Sequence, residues 1–366
     1  MKHCVYAFAL VLLLTTGAFA AERTVTDYRG RQVAVPAKVD HVICSGPGSL
    51  RLLTYLQAQD MIVAVDDIET RRSTFDARPY SIANPQFRKF PVFGEFRGHD
   101  NPELILTLEP QPQVILKTHP NMGYDPDELA QKTGIPVVGL DYGNLFTYRD
   151  KLFQSLRTMG DVVGKKDRAE EVIAYIQGLI DDLKKRTADI PADKRPLVLV
   201  GGVAFKGPHG FQSTEPAYPP FQFVNANNPA YTKGLKGKEL SHADVSKEMI
   251  VKWNPDILFL DLSTLQLGDE TGGLYELKHD AAYQTLTAVK EGKVYGVLPY
   301  NWYSRNYGSI LANAYYIGKL IYPDRFTDVD PAAKADEIFT FLVGKPVYKQ
   351  MDAMFGNLAF KPIPLR

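Results

Sequence analysis

The chain has 366 residues, with 42 Lys and Arg against 42 Asp and Glu, so its formal net charge is zero. That balance provides no global field to draw in nucleic acid or an anionic membrane surface. The length suggests about two domains once the N-terminal segment is set aside.

Lys2 and His3 precede an apolar run from Val5 to Leu14, and small residues follow, ending Ala18-Phe19-Ala20. A basic start, a core of about ten apolar residues and an A-x-A site read as a secretory signal peptide over residues 1–20. A membrane span needs roughly 20 apolar residues, and Thr15, Thr16 and Gly17 break the run too early. A lipid anchor needs a Cys at the cleavage site, but Cys4 lies in the basic region, so the expected mature chain is exported and soluble, without membrane insertion or lipid tether. Cys44 then remains as the one thiol of the mature chain, in an apolar segment where a small buried residue is the expectation.

Short β-rich apolar segments alternate with helical ones from residue 39 onward. Val39–Ile43, Met61–Val65, Val114–Leu116 and Val137–Leu140 read as buried strands. Leu50–Leu56 reads as a helix, and Asn101-Pro102 and Asp125-Pro126 each place a cap residue before Pro at the first helical position. Alternating strands and helices predict a parallel α/β sheet. From Tyr148 to about Thr187 runs an extended helical stretch, interrupted by Gly160 and Gly164. Its second half, of about 20 residues, would be roughly 30 Å long. A second α/β series follows: strands Leu197–Val200, Ile257–Leu260 and Val294–Val297, with helices at Lys247–Trp253, Leu274–Lys278, Tyr283–Val289 and Ser309–Ile321. The predicted layout is an N-terminal α/β lobe over 21–147, a linking helical segment over 148–190 and a C-terminal α/β lobe over 191–366. Each lobe has a mainly parallel sheet flanked by helices.

Several segments resemble one family in order. Thr24-Val25-Thr26-Asp27-Tyr28-Arg29-Gly30-Arg31-Gln32-Val33-Ala34-Val35-Pro36 is similar to the opening hairpin of periplasmic binding proteins for siderophores, cobalamin and haem. Val42–Leu56, Gly94–Leu108, Gly134–Val138, Trp253–Leu260 and Val289–Tyr295 continue the likeness. The stretches Gly201–Phe221 and Pro299–Gly308 resemble a subgroup labelled iron ABC transporter binding proteins. The resemblance implies two lobes joined by one long helix. It also implies capture of an iron complex or similar metal-containing ligand, for delivery to an ABC permease in the membrane. Family members often carry an acidic docking residue early in the helix after the first strand, and Arg51 lies in that region here.

In parallel α/β sheets ligands bind beyond the C-terminal strand ends, and polar and aromatic groups gather there in this sequence. The loop Ser45-Gly46-Pro47-Gly48-Ser49 opens a helix with two glycines and can offer backbone N–H groups to an anion, which nominates Ser45 and Gly48. The loop Gly201–Glu215 contributes Lys206, His209, Ser213 and Thr214, suited to an anionic ligand, with His209 also a possible metal ligand. Tyr300, Trp302, Tyr303 and Tyr307 offer aromatic walls around Arg305, the first choice for a bidentate contact. Arg97 is expected to face Arg305 from the first lobe.

The histidines are scattered without an H-x-x-x-H pair, so the identity of any directly bound metal stays open. Nucleophile-elbow, P-loop and H-E-x-x-H motifs do not occur, and a non-enzyme without a cofactor is expected. The expected ligand is an iron chelate or a metal oxyanion. Molybdate or tungstate is the alternative within the binding class, haem or cobalamin the third. An exported enzyme on the same scaffold is the reading from another class. The expected state is a monomer.

Overall fold

The computed structural model describes residues 21–71, 73–231 and 242–365, so the signal segment lies outside the described residues. A hairpin of β1 (Glu22–Thr26) and β2 (Gln32–Pro36) opens the described chain. Asp27 closes its turn by accepting from the Arg29 and Arg31 amides, at 2.9 and 3.0 Å.

The first lobe is a six-stranded sheet. Its strands are β3 (Val42–Ser45), β4 (Ile62–Asp66), β5 (Val92–Glu95), β6 (His99–Asp100), β7 (Val114–Thr118) and β8 (Val137–Leu140). They lie in the order β6-β5-β4-β3-β7-β8, parallel except for the antiparallel edge pair β5–β6. The predicted caps form: the Asn101 side chain accepts from the Glu103 and Leu104 amides, and Asp125 accepts from the Asp127 amide. Each cap satisfies helix N–H groups that have no intrahelical partner.

The helical stretch after Tyr148 is two helices rather than one. Arg149–Val162 and Lys166–Thr187 are separated at Gly164, whose φ of 67° is accessible to glycine without a Cβ penalty. They lie antiparallel: Arg149 donates to Gln177 at 2.9 Å, and Arg157 pairs with Glu170 at 2.7 Å. Gly160 lets the backbones approach, because a Cβ there would stand 2.8 Å from that of Ala169. The first helix therefore folds back on the first lobe, where Arg23 of β1 pairs with Asp161 at 3.0 Å. The link between lobes is the 22-residue helix Lys166–Thr187, about 33 Å long.

The second lobe carries a parallel sheet of β9 (Val198–Gly201), β12 (Ile257–Asp261) and β13 (Val294–Val297), in the order β13-β12-β9. A small ladder of β10 (Ser213–Thr214) and β11 (Ala243–Asp244) stands beside it. The predicted helix over Tyr283–Val289 is instead a turn of 3-10 helix, Tyr283–Thr285, followed by a short helix, Thr287–Lys290. The helix Tyr307–Ile321 runs through the core of this lobe. Ile310, Leu311 and Ile317 are fully buried on it, each contributing roughly 1.5–3 kcal/mol. Asn313 on the same helix pins the end of β13, donating to the Leu298 carbonyl at 2.8 Å and accepting from its amide at 3.0 Å. That clamp fixes where the following loop, 299–306, begins.

The chain then returns toward the first lobe. Pro331–Val343 packs on both Tyr307–Ile321 and Ser49–Tyr55. Lys345 donates to the Ala83 carbonyl at 2.6 Å, and the Phe75 and Phe355 rings meet at 5.5 Å. One continuous apolar cluster therefore runs through both lobes and the linking helix.

Candidate ligand-binding site

Between the lobes lies a cleft of about 670 Å³. The first lobe lines it with Pro47, Ile68, Phe96, Arg97, His119 and Met122. The second lobe contributes Ala204–Pro208, Gln266 and Asn301–Ser304. The walls carry the aromatic rings of Phe96, Phe205, Trp302 and Tyr303, with exposed cations, Arg97 and Lys206, from opposite lobes. Arg71 and Arg97 both stand over the Phe96 ring, at 4.3 and 5.0 Å, in cation–π range. Carboxylates are missing from the lining among the described residues. The cleft therefore suits an anionic ligand with flat or apolar parts.

The loop 299–306 forms the floor and is held from three sides. Asn306 donates to the carbonyls of Tyr300 and Trp302, both at 3.1 Å. Tyr303 and Ser304 adopt positive φ, 47° and 66°, which turns the chain back on itself. From the first lobe comes Arg51, fully enclosed on the helix Ser49–Tyr55. Its guanidinium donates to the carbonyls of Arg305 at 3.0 Å, Trp302 at 3.1 Å and Tyr303 at 2.9 Å, and also to the Tyr142 hydroxyl. Tyr142 donates to the Arg305 carbonyl at 2.7 Å. Tyr303 reaches back to Asp66 and accepts from the Arg97 amide at 3.1 Å. Burial, reinforced by the neighbouring Glu69, pushes the Asp66 carboxyl well above the usual carboxylate range. Arg51 is thus an internal clamp between lobes and not a surface docking group.

The sequence-derived candidates divide in this geometry. Arg97, Lys206, Trp302 and Tyr303 line the cleft together. Arg305 does not; its side chain turns toward the buried Glu215, at 3.6 Å, instead of facing Arg97. Tyr300 and Tyr307 are corrected as wall residues, since both are fully buried. Their phenols find partners inside: Tyr300 donates to Glu215, and Tyr307 to the Tyr142 carbonyl at 2.8 Å. Ser213 and Thr214 are also buried, in β10, where the Ser213 hydroxyl donates to the Val203 carbonyl at 2.7 Å. Ser45 ends β3 beneath the cleft and accepts from Lys117 at 3.1 Å. Gly48 packs under the Tyr142 ring with φ of 83°, leaving no room for a Cβ. That loop enters the cleft through Pro47 instead. His209 sits behind the lip, its Nε2 at 2.7 Å from the Phe205 carbonyl oxygen.

Phe96, His119 and Phe205 are cleft residues that the sequence reading did not select. His119 follows β7, so the strand-end rule already contained it; burial pushes its imidazole below the usual range, toward the neutral form. It packs 5.5 Å from the Tyr142 ring.

The profile described as "Periplasmic binding protein" matches residues 42–300. The chain belongs to that family. Among relatives of this binding protein is the molybdate-binding protein MolA of Haemophilus influenzae, 24% identical over 349 residues, covering 88% of this chain and 91% of MolA. The iron-uptake system-binding protein of Bacillus subtilis is 25% identical over 207 residues, 53% of this chain and 57% of that protein. The solved structure of MolA bound to molybdate superimposes with a TM-score of 0.66 at 20% identity, over 88% of this chain and 98% of that one. A periplasmic solute-binding protein from Veillonella parvula gives 0.68 at 18% identity, over 93% and 97%. At these identities the structural likeness speaks for the fold. The relatives are periplasmic substrate-binding transport proteins, not enzymes. Among the described residues, no helix is long and apolar enough to cross a membrane.

Proposed function

We propose that this binding protein captures an anionic metal chelate, an iron complex in the first place, between its lobes and delivers it to an ABC permease. The size and lining of the cleft carry the reading. About 670 Å³ falls in the roughly 300–1,000 Å³ range of small-molecule sites. A bare tetrahedral oxyanion displaces only a few water volumes of roughly 30 Å³ each and would leave the aromatic walls unused. A chelate with an aromatic or apolar periphery uses both the rings and the paired cations. Export through the segment 1–20 and action as a monomer complete the proposal.

A second reading is capture of molybdate or a like oxyanion. The similarity to MolA along 88% of the chain favours it, and Arg97 and Lys206 would serve it directly. Trp302 reports on the cleft, and Trp253 is the other of the two tryptophans. In a Trp253→Phe background, titration with ferric chelates should quench Trp302 saturably, while molybdate alone should not. Saturable response to molybdate with none to any ferric chelate would transfer the assignment to the oxyanion.

A further inference from the structure

Behind the lip of the cleft, three side chains with metal-ligand chemistry converge. The ladder of β10 and β11 sets Ser213 opposite Asp244, with His242 preceding β11. His242 and Asp244 are two residues apart in extended chain, where alternate side chains share a side. The loop after β9 brings His209 to the same place, its carbonyl held by the Thr264 hydroxyl at 2.7 Å. One ligand atom from each of His209, His242 and Asp244 lies within 4.8 Å of the others. The imidazoles stand 5.4 Å apart, and the Phe205 ring stacks on His242 at 4.4 Å.

We propose that His209, His242 and Asp244 bind one divalent transition-metal ion of the zinc class, outside the cleft that takes the transported ligand. Two imidazoles and one carboxylate suit zinc, nickel or copper, and not calcium or magnesium, which take oxygen ligands. Three protein ligands leave a fourth position for water. Ligand bonds of about 2.0–2.2 Å draw the three groups together by small side-chain rotations. The ion would tie the 205–209 segment to β11. Phe205 and Lys206 belong to that segment and line the cleft, so the ion fixes one lip of the ligand site. This assignment stands apart from the iron-chelate reading.

The test uses the untagged mature protein, stripped with chelator and titrated with Co²⁺ by visible absorbance and with Zn²⁺ by calorimetry. One equivalent of Co²⁺ should bind with the bands of a four-coordinate site, and Zn²⁺ should displace it. Loss of an outer partner of a metal ligand already costs about 10–100-fold in affinity. His209→Ala and His242→Ala should therefore each weaken Zn²⁺ binding by about 100-fold or more. Asp244→Asn should weaken it less, and His41→Ala should leave it unchanged. His209→Gln, of similar volume and checked by circular dichroism, separates ligand loss from misfolding. Failure to bind one equivalent, or binding that survives both histidine substitutions, overturns the proposal. Trp302 quenching by ferric chelate, read on the metal-free protein, reports the other site separately.

Discussion

Replacing Arg51 should loosen the union of the two lobes. Its guanidinium is enclosed and donates to three carbonyls of the second lobe and to Tyr142. In Arg51→Met the Arg305 carbonyl keeps Tyr142 as donor, and the Trp302 carbonyl keeps Asn306. The Tyr303 carbonyl loses its Arg51 bond. Hydrogen bonds to a charged group contribute about 1.5–3 kcal/mol each, and an orphaned buried acceptor costs about 1–3 kcal/mol. The relief of a desolvated cation offsets part of this. The net destabilisation is on the order of 2–4 kcal/mol. At about 2 °C per kcal/mol for a chain of this size, the midpoint should fall by about 4–8 °C. Scanning calorimetry reads it directly. Arg51→Lys should fall between, because one ammonium cannot fork to all three carbonyls. An Arg51→Met midpoint within about 1 °C of the parent would refute the clamp.

Other expectations follow from single positions. Gly48→Ala places a Cβ against the Tyr142 ring at positive φ; overpacking of this kind costs about 1–3 kcal/mol, and a shift of the urea midpoint checks it. Burial raises the Asp261 carboxyl to about 7, so the native state binds the extra proton between about pH 4 and that value. Stability should therefore fall as pH rises through this window and level off above it, and Asp261→Asn should flatten the fall in a pH series of denaturant midpoints. Arg97→Ala and Lys206→Ala should each weaken ligand binding about tenfold, the loss of roughly 1.4 kcal/mol. Arg305→Ala should act mainly on stability through Glu215, and a larger affinity loss there than at Arg97 would reverse this ordering. The linking helix and the Arg51 clamp predict only small lobe closure, so a large ligand-induced contraction in X-ray scattering would contradict the architecture.

Much of the fold could be read from periodicity and capping. Asn101-Pro102 and Asp125-Pro126 each mark a helix boundary that the structure retains, because local chemistry alone decides them. The fold-back at Gly164 was not legible as such: both helices keep apolar spacing, and only tertiary packing through Gly160 and Arg157 reverses the second on the first. At the cleft, residue type pointed to loops that line it and to Arg97, Lys206, Trp302 and Tyr303 on them, but not to which neighbouring side chains turn inward. Arg305, Tyr300 and Tyr307 look like ligand contacts in sequence, yet Glu215 and Tyr142 satisfy them internally. Those partners lie far away along the chain. Arg51 illustrates the converse, since the sequence showed only a cation where family members often carry an acidic docking residue, and its three carbonyl acceptors come from a distant loop.

The most direct test of the account is native mass spectrometry, with elemental analysis, of the protein isolated from its own periplasm. The account predicts one equivalent of an iron-containing chelate per chain, lost or weakened when Arg97 and Lys206 are replaced. A mass increment matching bare molybdate, with molybdenum and no iron, would contradict it.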